Sequence, residues 1–198
     1  MKIFYLTVIS FLFILALSSC STNVVENTDN RPLISLGNNL KLLLLPPITT
    51  NPPIGITQSV LIKHNDQQHQ FLSKIEITNN SFKMVGLSPM GIKLFSIHSK
   101  GDFFIIDESL IADSNFNIMY LLADLQLTYW PVKQLQQRLQ PASAILKHSN
   151  SGRQLLYNNE VIIDIKFSNN TAWNKQVTFH HLKRNYTVII DTLSTDNL

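Results

Sequence analysis

The chain has 198 residues, of which 44% are hydrophobic, and its 16 basic and 13 acidic side chains leave a formal net charge of +3. So small a charge, without a concentrated basic stripe, argues against the nucleic-acid-binding class of proteins. The single cysteine excludes an intramolecular disulfide, so one domain of this length must be stabilised by its own hydrophobic core.

Residues 1–19 have the pattern of a secretory signal peptide. Met1 and Lys2 form a short positive region, and residues 3–17 follow as an almost unbroken apolar run. This run of about 15 residues is shorter than the roughly 20 that a transmembrane helix needs. We therefore expect a cleaved signal and not an anchor helix.

The end of the apolar run, Leu17-Ser18-Ser19-Cys20, resembles the lipobox of bacterial lipoproteins. The resemblance implies diacylglycerol transfer to the Cys20 sulfur, cleavage after Ser19 and acylation of the new amino terminus. Two or more acyl chains anchor a protein stably in a membrane. Ser21 stands where inner-membrane lipoproteins of enteric-type bacteria carry aspartate, which implies the periplasmic leaflet of the outer membrane. The alternative is an incidental cysteine at the end of a signal peptide.

The segment after Cys20 is polar and poor in large apolar residues, which is typical of a flexible tether. We assign residues 20–35 to this lipidated tether and residues 36–198 to a single β domain. An apolar run at residues 40–45 stops at Pro46-Pro47, and Pro52-Pro53 follows. Because proline cannot donate to a sheet ladder, the stretch between the two pairs is predicted to be a surface connection.

Residues 56–106 predict a meander of five strands separated by turns. The strands are expected at about residues 56–64, 69–78, 81–87, 92–98 and 102–106. Asparagine, proline and glycine lie between them, and Asn and Gly supply the left-handed conformations that tight turns require.

The middle of the chain changes to a helical period. Four apolar residues fall at i, i+3, i+4 and i+7, on one face of a helix: Ile118, Leu121, Leu122 and Leu125. Ser114 or Asn115 is available to cap its start. Pro131 suits the first turn of a second amphipathic helix, which is expected to include Leu139 and to end at Pro141.

Strand character then resumes at residues 161–167, 176–182 and 186–193, the first of which alternates apolar and polar side chains. The count predicts a mainly β fold, an open antiparallel half-barrel of eight to ten strands with a two-helix lid insertion. The candidate residues of a hydrophobic cavity or of its lid are Ile118, Leu121, Leu122, Leu125, Trp130, Phe82, Met84, Leu94, Ile163 and Ile165.

Four sequence blocks resemble an uncharacterised family of bacterial lipoproteins that is often encoded in aryl-polyene or fatty-acid-synthase-like gene clusters. The blocks are Leu44-Leu45-Pro46-Pro47, Leu87-Ser88-Pro89-Met90-Gly91, Ala123-Asp124-Leu125-Gln126-Leu127 with Trp130-Pro131, and Tyr186-Thr187-Val188-Ile189-Ile190. The strand order, the Ser-Pro-Met-Gly turn and the inserted helices are also similar to the lipoprotein-localisation factors LolA and LolB. Their half-barrels hold acyl chains under a helical lid, so the resemblance implies an acyl or polyene lipid ligand.

No set of residues predicts catalysis, a metal site or a cofactor. Ser88 lies two residues after a glycine, but Pro89 removes the backbone N–H that the oxyanion hole of a nucleophile elbow needs. His180 and His181 lie in a predicted strand, so their rings should point to opposite faces of the sheet. The other histidines show no metal-ligand spacing.

The sequence therefore favours a noncatalytic outer-membrane lipoprotein, attached through acylated Cys20, that binds or transfers acyl or aryl-polyene chains in a hydrophobic cavity. The alternative is an assembly or scaffold lipoprotein with a solid core that binds other envelope proteins. An enzyme is disfavoured because no nucleophile and base can be named. Trp130 could serve as a core aromatic, a lid latch or an interfacial anchor.

Overall fold

A computed structural model of the protein describes residues 31–48, 50–108, 117–168, 173 and 176–198. Cys20, Ser21 and the predicted signal peptide lie outside the described residues. Most of the predicted tether also lies outside them, and the first strand begins at Leu33, inside the range assigned to that tether. No helix among the described residues is long and apolar enough to cross a membrane.

The described residues form thirteen strands and two helices. The strands before the helices are β1 (Leu33–Gly37), β2 (Leu40–Leu43), β3 (Ile54–His64), β4 (Gln67–Ile77), β5 (Ser81–Leu87), β6 (Lys93–Lys100) and β7 (Phe103–Glu108). The helices are α1 (Ile118–Tyr129) and α2 (Val132–Gln136). The strands after them are β8 (Leu139–Gln140), β9 (Ile145–Ser149), β10 (Gly152–Tyr157), β11 (Glu160–Phe167), β12 (Gln176–His181) and β13 (Tyr186–Asn197).

Ten strands form one antiparallel sheet in the order β7-β6-β5-β4-β3-β13-β12-β11-β10-β9. Its two edges, β7 and β9, are not paired with each other in the described part of the chain, so this sheet is open. Two meanders, β3 to β7 and β9 to β13, meet where β3 pairs with β13. The prediction of a mainly β fold with an open antiparallel sheet and two helices is confirmed.

The long strands form because apolar residues alternate along them. In β3 the side chains of Ile56, Gln58, Val60 and Ile62 are buried and those between them are more exposed, the period-two pattern of a half-buried strand. Asparagine closes the predicted turns in left-handed conformation, with φ of 52° at Asn65 and 53° at Asn185.

A second sheet has three strands in the order β1-β2-β8, and its strand β1 contacts α1. On one side, α1 residues Leu121 and Leu125 approach residues of β3, β5, β12 and β13. On another side, the Gln126 amide accepts from the Leu45 backbone N–H and donates to the Leu45 carbonyl, both at 2.9 Å. Most of α1 is consequently buried, including its residues 121–128 without interruption.

Two details of the helical segment were predicted wrongly. Asn117 caps α1 by accepting from the Met119 N–H at 2.8 Å, in place of Ser114 or Asn115. The second helix ends at Gln136, because Leu139 pairs with Leu42 to form β8. The Gln136 amide also donates to the Ala144 carbonyl and accepts from the Leu146 N–H, so tertiary contacts override the helical spacing.

Candidate functional site: a cavity at the end of the large sheet

A cavity of about 290 Å³ lies where the β3–β4 turn, the β12–β13 turn and the start of α1 come together. The strand register sets its walls in two rows across β4, β3 and β13. The row nearest the turns holds Gln67, His64 and Tyr186. The next row on the same face holds His69, Ile62 and Val188.

The polarity of the lining changes with depth. Asn117 and Gln67 are exposed, and His64 and Arg184 are half-buried, so polar groups surround the mouth. Further in, the lining side chains of Ile62, Leu121 and Val188 are apolar and buried. The cavity thus combines a polar rim with an apolar interior, as ligand pockets generally do.

One buried acid lies in this otherwise apolar interior. The Tyr186 hydroxyl donates to Oδ2 of Asp124 at 2.5 Å. Burial raises the pKa of Asp124 to about 7, although the hydrogen bond from Tyr186 and the charge of Arg184 act in the opposite direction. Burial, together with the neighbouring Asp124, also raises the pKa of Tyr186 well above its ordinary value. Asp124 therefore holds its proton more tightly than an exposed carboxyl.

Arg184 connects the mouth of the cavity to two elements, β1 and α1. Its Nη2 donates to the Ser35 carbonyl of β1, and its guanidinium carbon lies 3.6 Å from the centre of the Tyr120 ring on α1. This is a close cation–π contact. Nη1 is buried and has no hydrogen-bond partner among the residues described. The guanidinium is therefore held in place with donor capacity unused.

His181 lies beside this group, with its ring centre 5.1 Å from that of Tyr186. Burial, and then the charge of Arg184, lower the pKa of His181 to about 4, so its imidazole is neutral near neutral pH. The Nδ1 of His181 accepts weakly from the backbone N–H of Arg184 at 3.4 Å. His180 lies on the opposite face, where its Nδ1 is 3.0 Å from the Thr187 hydroxyl oxygen. The two histidines point apart, as their adjacent positions in a strand predict.

The inner end of the cavity is almost closed. Between α1 and the large sheet only about 10 Å³ of free space remains, and this gap shares Leu121, Asp124 and Val188 with the cavity. So small a space holds about one water molecule at most. The sheet under the rest of α1 is therefore packed in this structure.

The candidate residues chosen from the sequence are distributed unequally around this site. Leu121 lines the cavity, and Met84 and Leu125 border the narrow gap at its inner end. Six others belong to the hydrophobic core without lining either space: Ile118, Leu122, Trp130, Phe82, Ile163 and Ile165. Leu94 is half-buried and packs against that core.

Three of the sequence blocks meet around α1. Besides the Gln126 bonds to Leu45, the Trp130 indole Nε1 donates to the Pro46 carbonyl at 2.9 Å. The Trp130 ring is buried and meets Phe82 edge to face, with centres 5.8 Å apart. Asp124 connects the same block to Tyr186. Of the three roles open to Trp130, its burial supports the core aromatic.

The group formed by Asp124, Tyr186 and Arg184 was not singled out from the sequence. One signal could have found it: an aspartate lies inside the apolar face of a helix, where a buried carboxyl needs a partner. Arg184 gives no such signal, because a charged residue in a predicted turn is ordinarily solvent-exposed. The histidines and Asn117 join the cavity only through the tertiary fold.

The serine that follows a glycine by two residues, Ser88, holds a turn in place. Ser88 lies in the β5–β6 turn, where its hydroxyl oxygen accepts from the Ile92 N–H at 3.2 Å and its carbonyl accepts from the Gly91 N–H at 2.8 Å. Within the residues that the structure describes, no cluster of three or more histidine, cysteine or acidic side chains could hold a metal ion.

A wider groove of about 850 Å³ runs beside the edge strand β7 and is open to solvent. Pro46 and Pro47 form one side of it, and Phe103 and Ile105 form part of the other. These last two side chains are 74% and 67% exposed, which leaves an apolar patch on the sheet edge.

Comparison with known proteins gives a family but no activity. A family model described as "Protein of unknown function (DUF3261)" matches residues 55–194, and no curated protein matches the chain. A solved LolA superfamily protein from Nitrosomonas europaea is similar over 76% of this chain and 89% of that one, with 6% identity and a TM-score of 0.42.

A second solved structure, a domain named for outer-membrane lipoprotein sorting from Vibrio parahaemolyticus, is similar over 73% of this chain and 84% of its own. Its sequence identity is 9% and its TM-score is 0.40. Both TM-scores lie below 0.5, so these likenesses carry no argument about a ligand.

Proposed function

Since the chain belongs to the DUF3261 family, a family of proteins of unknown function, we propose from its site that it is a lipid-binding lipoprotein of the outer membrane. Its ligand is an acyl or aryl-polyene chain, which it holds without catalysing a reaction. The observation that carries this proposal is the cavity whose rim is polar and whose interior is formed by Ile62, Leu121 and Val188.

The size of the cavity supports a ligand of modest dimensions. Its volume of about 290 Å³ is close to the lower limit of the range of about 300–1,000 Å³ that small-molecule sites span. One chain segment can fill such a space, whereas several acyl chains cannot. Burial of apolar surface, worth about 25 cal/mol per Å², supplies the affinity without a cofactor.

The proposed anchor is the acylated Cys20, and its distance along the chain supports the same function. Arg31, the first described residue, follows Cys20 by 11 positions. An extended chain spans at most about 3.6 Å per residue, so this tether reaches roughly 40 Å. A domain held so close to a membrane surface can exchange an apolar ligand with it. Ser21 supports the outer membrane as the destination.

A noncatalytic role is supported by the partners of the polar groups nearest the cavity. The Asp124 carboxyl accepts a hydrogen bond from Tyr186, which restricts its access to a bound ligand. Binding and release by hydrophobic burial require no proton transfer from this pair.

A scaffold lipoprotein is the second candidate function, and the exposed edge of β7 favours it. Phe103 and Ile105 present apolar surface on a strand whose outer backbone groups have no strand partner in the described part of the sheet. Such an edge can receive a strand from another protein. In this alternative the side chains packed between α1 and the large sheet form a solid core, and the protein binds no lipid.

Native mass spectrometry distinguishes the two functions. The complete mature chain, with Cys20 replaced by alanine and exported behind a cleavable signal, should carry a co-purified lipid mass after mild isolation. Ile62→Trp should abolish that mass, because the larger ring fills the cavity. The matched control is Ile145→Trp, at a position that is 52% exposed and does not line the cavity. A protein free of lipid, with no response to added fatty acid in any variant, would favour the scaffold.

A further inference from the structure

The orientation of a ligand follows from where the polar and apolar side chains lie. His64, Gln67, Asn117 and Arg184 come from the β3–β4 turn region, the cap of α1 and the β12–β13 turn. They surround the mouth, while the buried apolar residues lie deeper. An amphiphile can satisfy both environments only if its apolar tail enters first and its head remains at the rim.

The charges at the cavity favour one sign of head group. Arg184 is a permanent cation because a guanidinium does not lose its proton in proteins. The acid that lines the same cavity, Asp124, is buried, and burial disfavours its charged form. The other polar side chains that line the cavity, His64, Gln67, His69 and Asn117, include no acid. The rim is therefore a site for an anion.

Arg184 is also positioned to serve such a head. A guanidinium carries five N–H donors; Nη2 donates to the Ser35 carbonyl, and Nη1 has no hydrogen-bond partner among the residues described. The contact with the Tyr120 ring fixes the plane of the group. The guanidinium, which lines the cavity, is thus held in position at low cost in side-chain entropy.

We propose that the ligand is an amphiphile with one apolar tail and an anionic head, a carboxylate or a phosphate, and that Arg184 at the mouth recognises the head. This inference rests on the proposed function, since it names the substrate class of the same cavity. The tail extends past Ile62, Leu121 and Val188, and Asp124 lies deeper than the head.

Displacement of a neutral fluorescent probe from the soluble mature chain tests the proposal with four ligands of equal tail length. These are decanoate, decyl phosphate, 1-decanol and decyltrimethylammonium. A hydrogen bond between charged groups contributes about 1.5–3 kcal/mol, so at least one anion should bind about tenfold to a hundredfold more tightly than decanol. The tighter of the two anions identifies the head, and the cation should bind worst.

Arg184→Met removes the charge and keeps an apolar stem, so it should equalise the anion and the alcohol while decanol still binds. The matched control is Lys183→Met, which removes a neighbouring cation that pairs with Glu160 at 2.5 Å and does not line the cavity. This control should keep the preference for the anion. If Arg184→Met does not fold, the comparison of ligands on the unaltered chain decides alone.

Two results would overturn this inference. Equal affinity for decanoate, decyl phosphate and decanol on the unaltered chain would leave the proposed function standing and remove the anionic head. Failure of all four ligands, decanol included, would remove the proposed function together with the inference.

Discussion

Two buried ionisable side chains, Asp124 and His181, both lie against Tyr186 and affect stability in opposite directions. Burial raises the pKa of Asp124 from 3.8 to about 7, so the folded protein keeps a proton that the unfolded chain releases. The contribution of Asp124 to stability is therefore lost as pH rises from about 3.8 to about 7. Burial lowers the pKa of His181 from 6.5 to about 4, so its contribution is instead lost as pH falls.

These opposite slopes should nearly cancel between about pH 4 and 6.5, and single substitutions should separate them. Asp124→Asn removes the contribution of Asp124 and leaves that of His181. The free energy of unfolding should then rise with pH, by up to about 1.4 kcal/mol per pH unit. His181→Gln removes the contribution of His181 and leaves that of Asp124. The free energy of unfolding should then fall as pH rises from about 4 to 7. Urea denaturation at a series of pH values measures both slopes. If both variants showed the same pH dependence of stability as the unaltered chain, these opposite contributions of Asp124 and His181 would be contradicted.

At the scale of elements, α1 is mostly buried, including all of residues 121–128. The spacing of Ile118, Leu121, Leu122 and Leu125 predicted an apolar face over a cavity, and a lid of that kind would leave Leu122 only loosely packed. In the structure Leu122 is 1% exposed and does not line the cavity. Only Leu121, at the end of the helix near the mouth, has the predicted position.

A pair of adjacent substitutions tests this division of α1. Leu122→Ala should cost about 2–5 kcal/mol of stability, as for a deletion in a packed core, without changing probe affinity in the folded protein. Leu121→Ala should cost less, because its removal enlarges an existing cavity, and it should weaken binding of a short-chain probe. Denaturation and probe titration of both variants supply the comparison. If Leu122→Ala lowered the free energy of unfolding only slightly and weakened probe binding, the interpretation of α1 as a lid would be supported.

The sequence predicted most of the large sheet because β3 to β7 and β11 to β13 alternate clearly and end in turn residues. It did not predict β9 and β10. In β9 only Leu146 is buried, so this edge strand has no apolar face to give a period. The strands β1, β2 and β8 are short, and pairing between β2 and β8 joins residues far apart in sequence. Apart from Leu121, the residues that line the cavity were missed for the same reason, since they come from separate elements.

At the scale of the whole molecule, the proposed anchor should determine where the protein resides. Cys20→Ala should leave an uncleaved and unlipidated precursor, because the chain has no other thiol to accept the diacylglyceryl group. Metabolic labelling with palmitate and membrane fractionation measure the effect. The unaltered protein serves as the labelled control, and palmitate that persists in the variant would remove the lipoprotein assignment.

The position of β13 in the large sheet affects the order in which the protein can assemble. Twelve of the described strands precede β13 in the sequence, yet β13 lies between β3 and β12 at the middle of the large sheet. Until residues 186–197 have been synthesised, the two meanders share no strand pairing, and Asp124 lacks the hydrogen bond from Tyr186. The growing chain therefore remains without its central strand until late in translation.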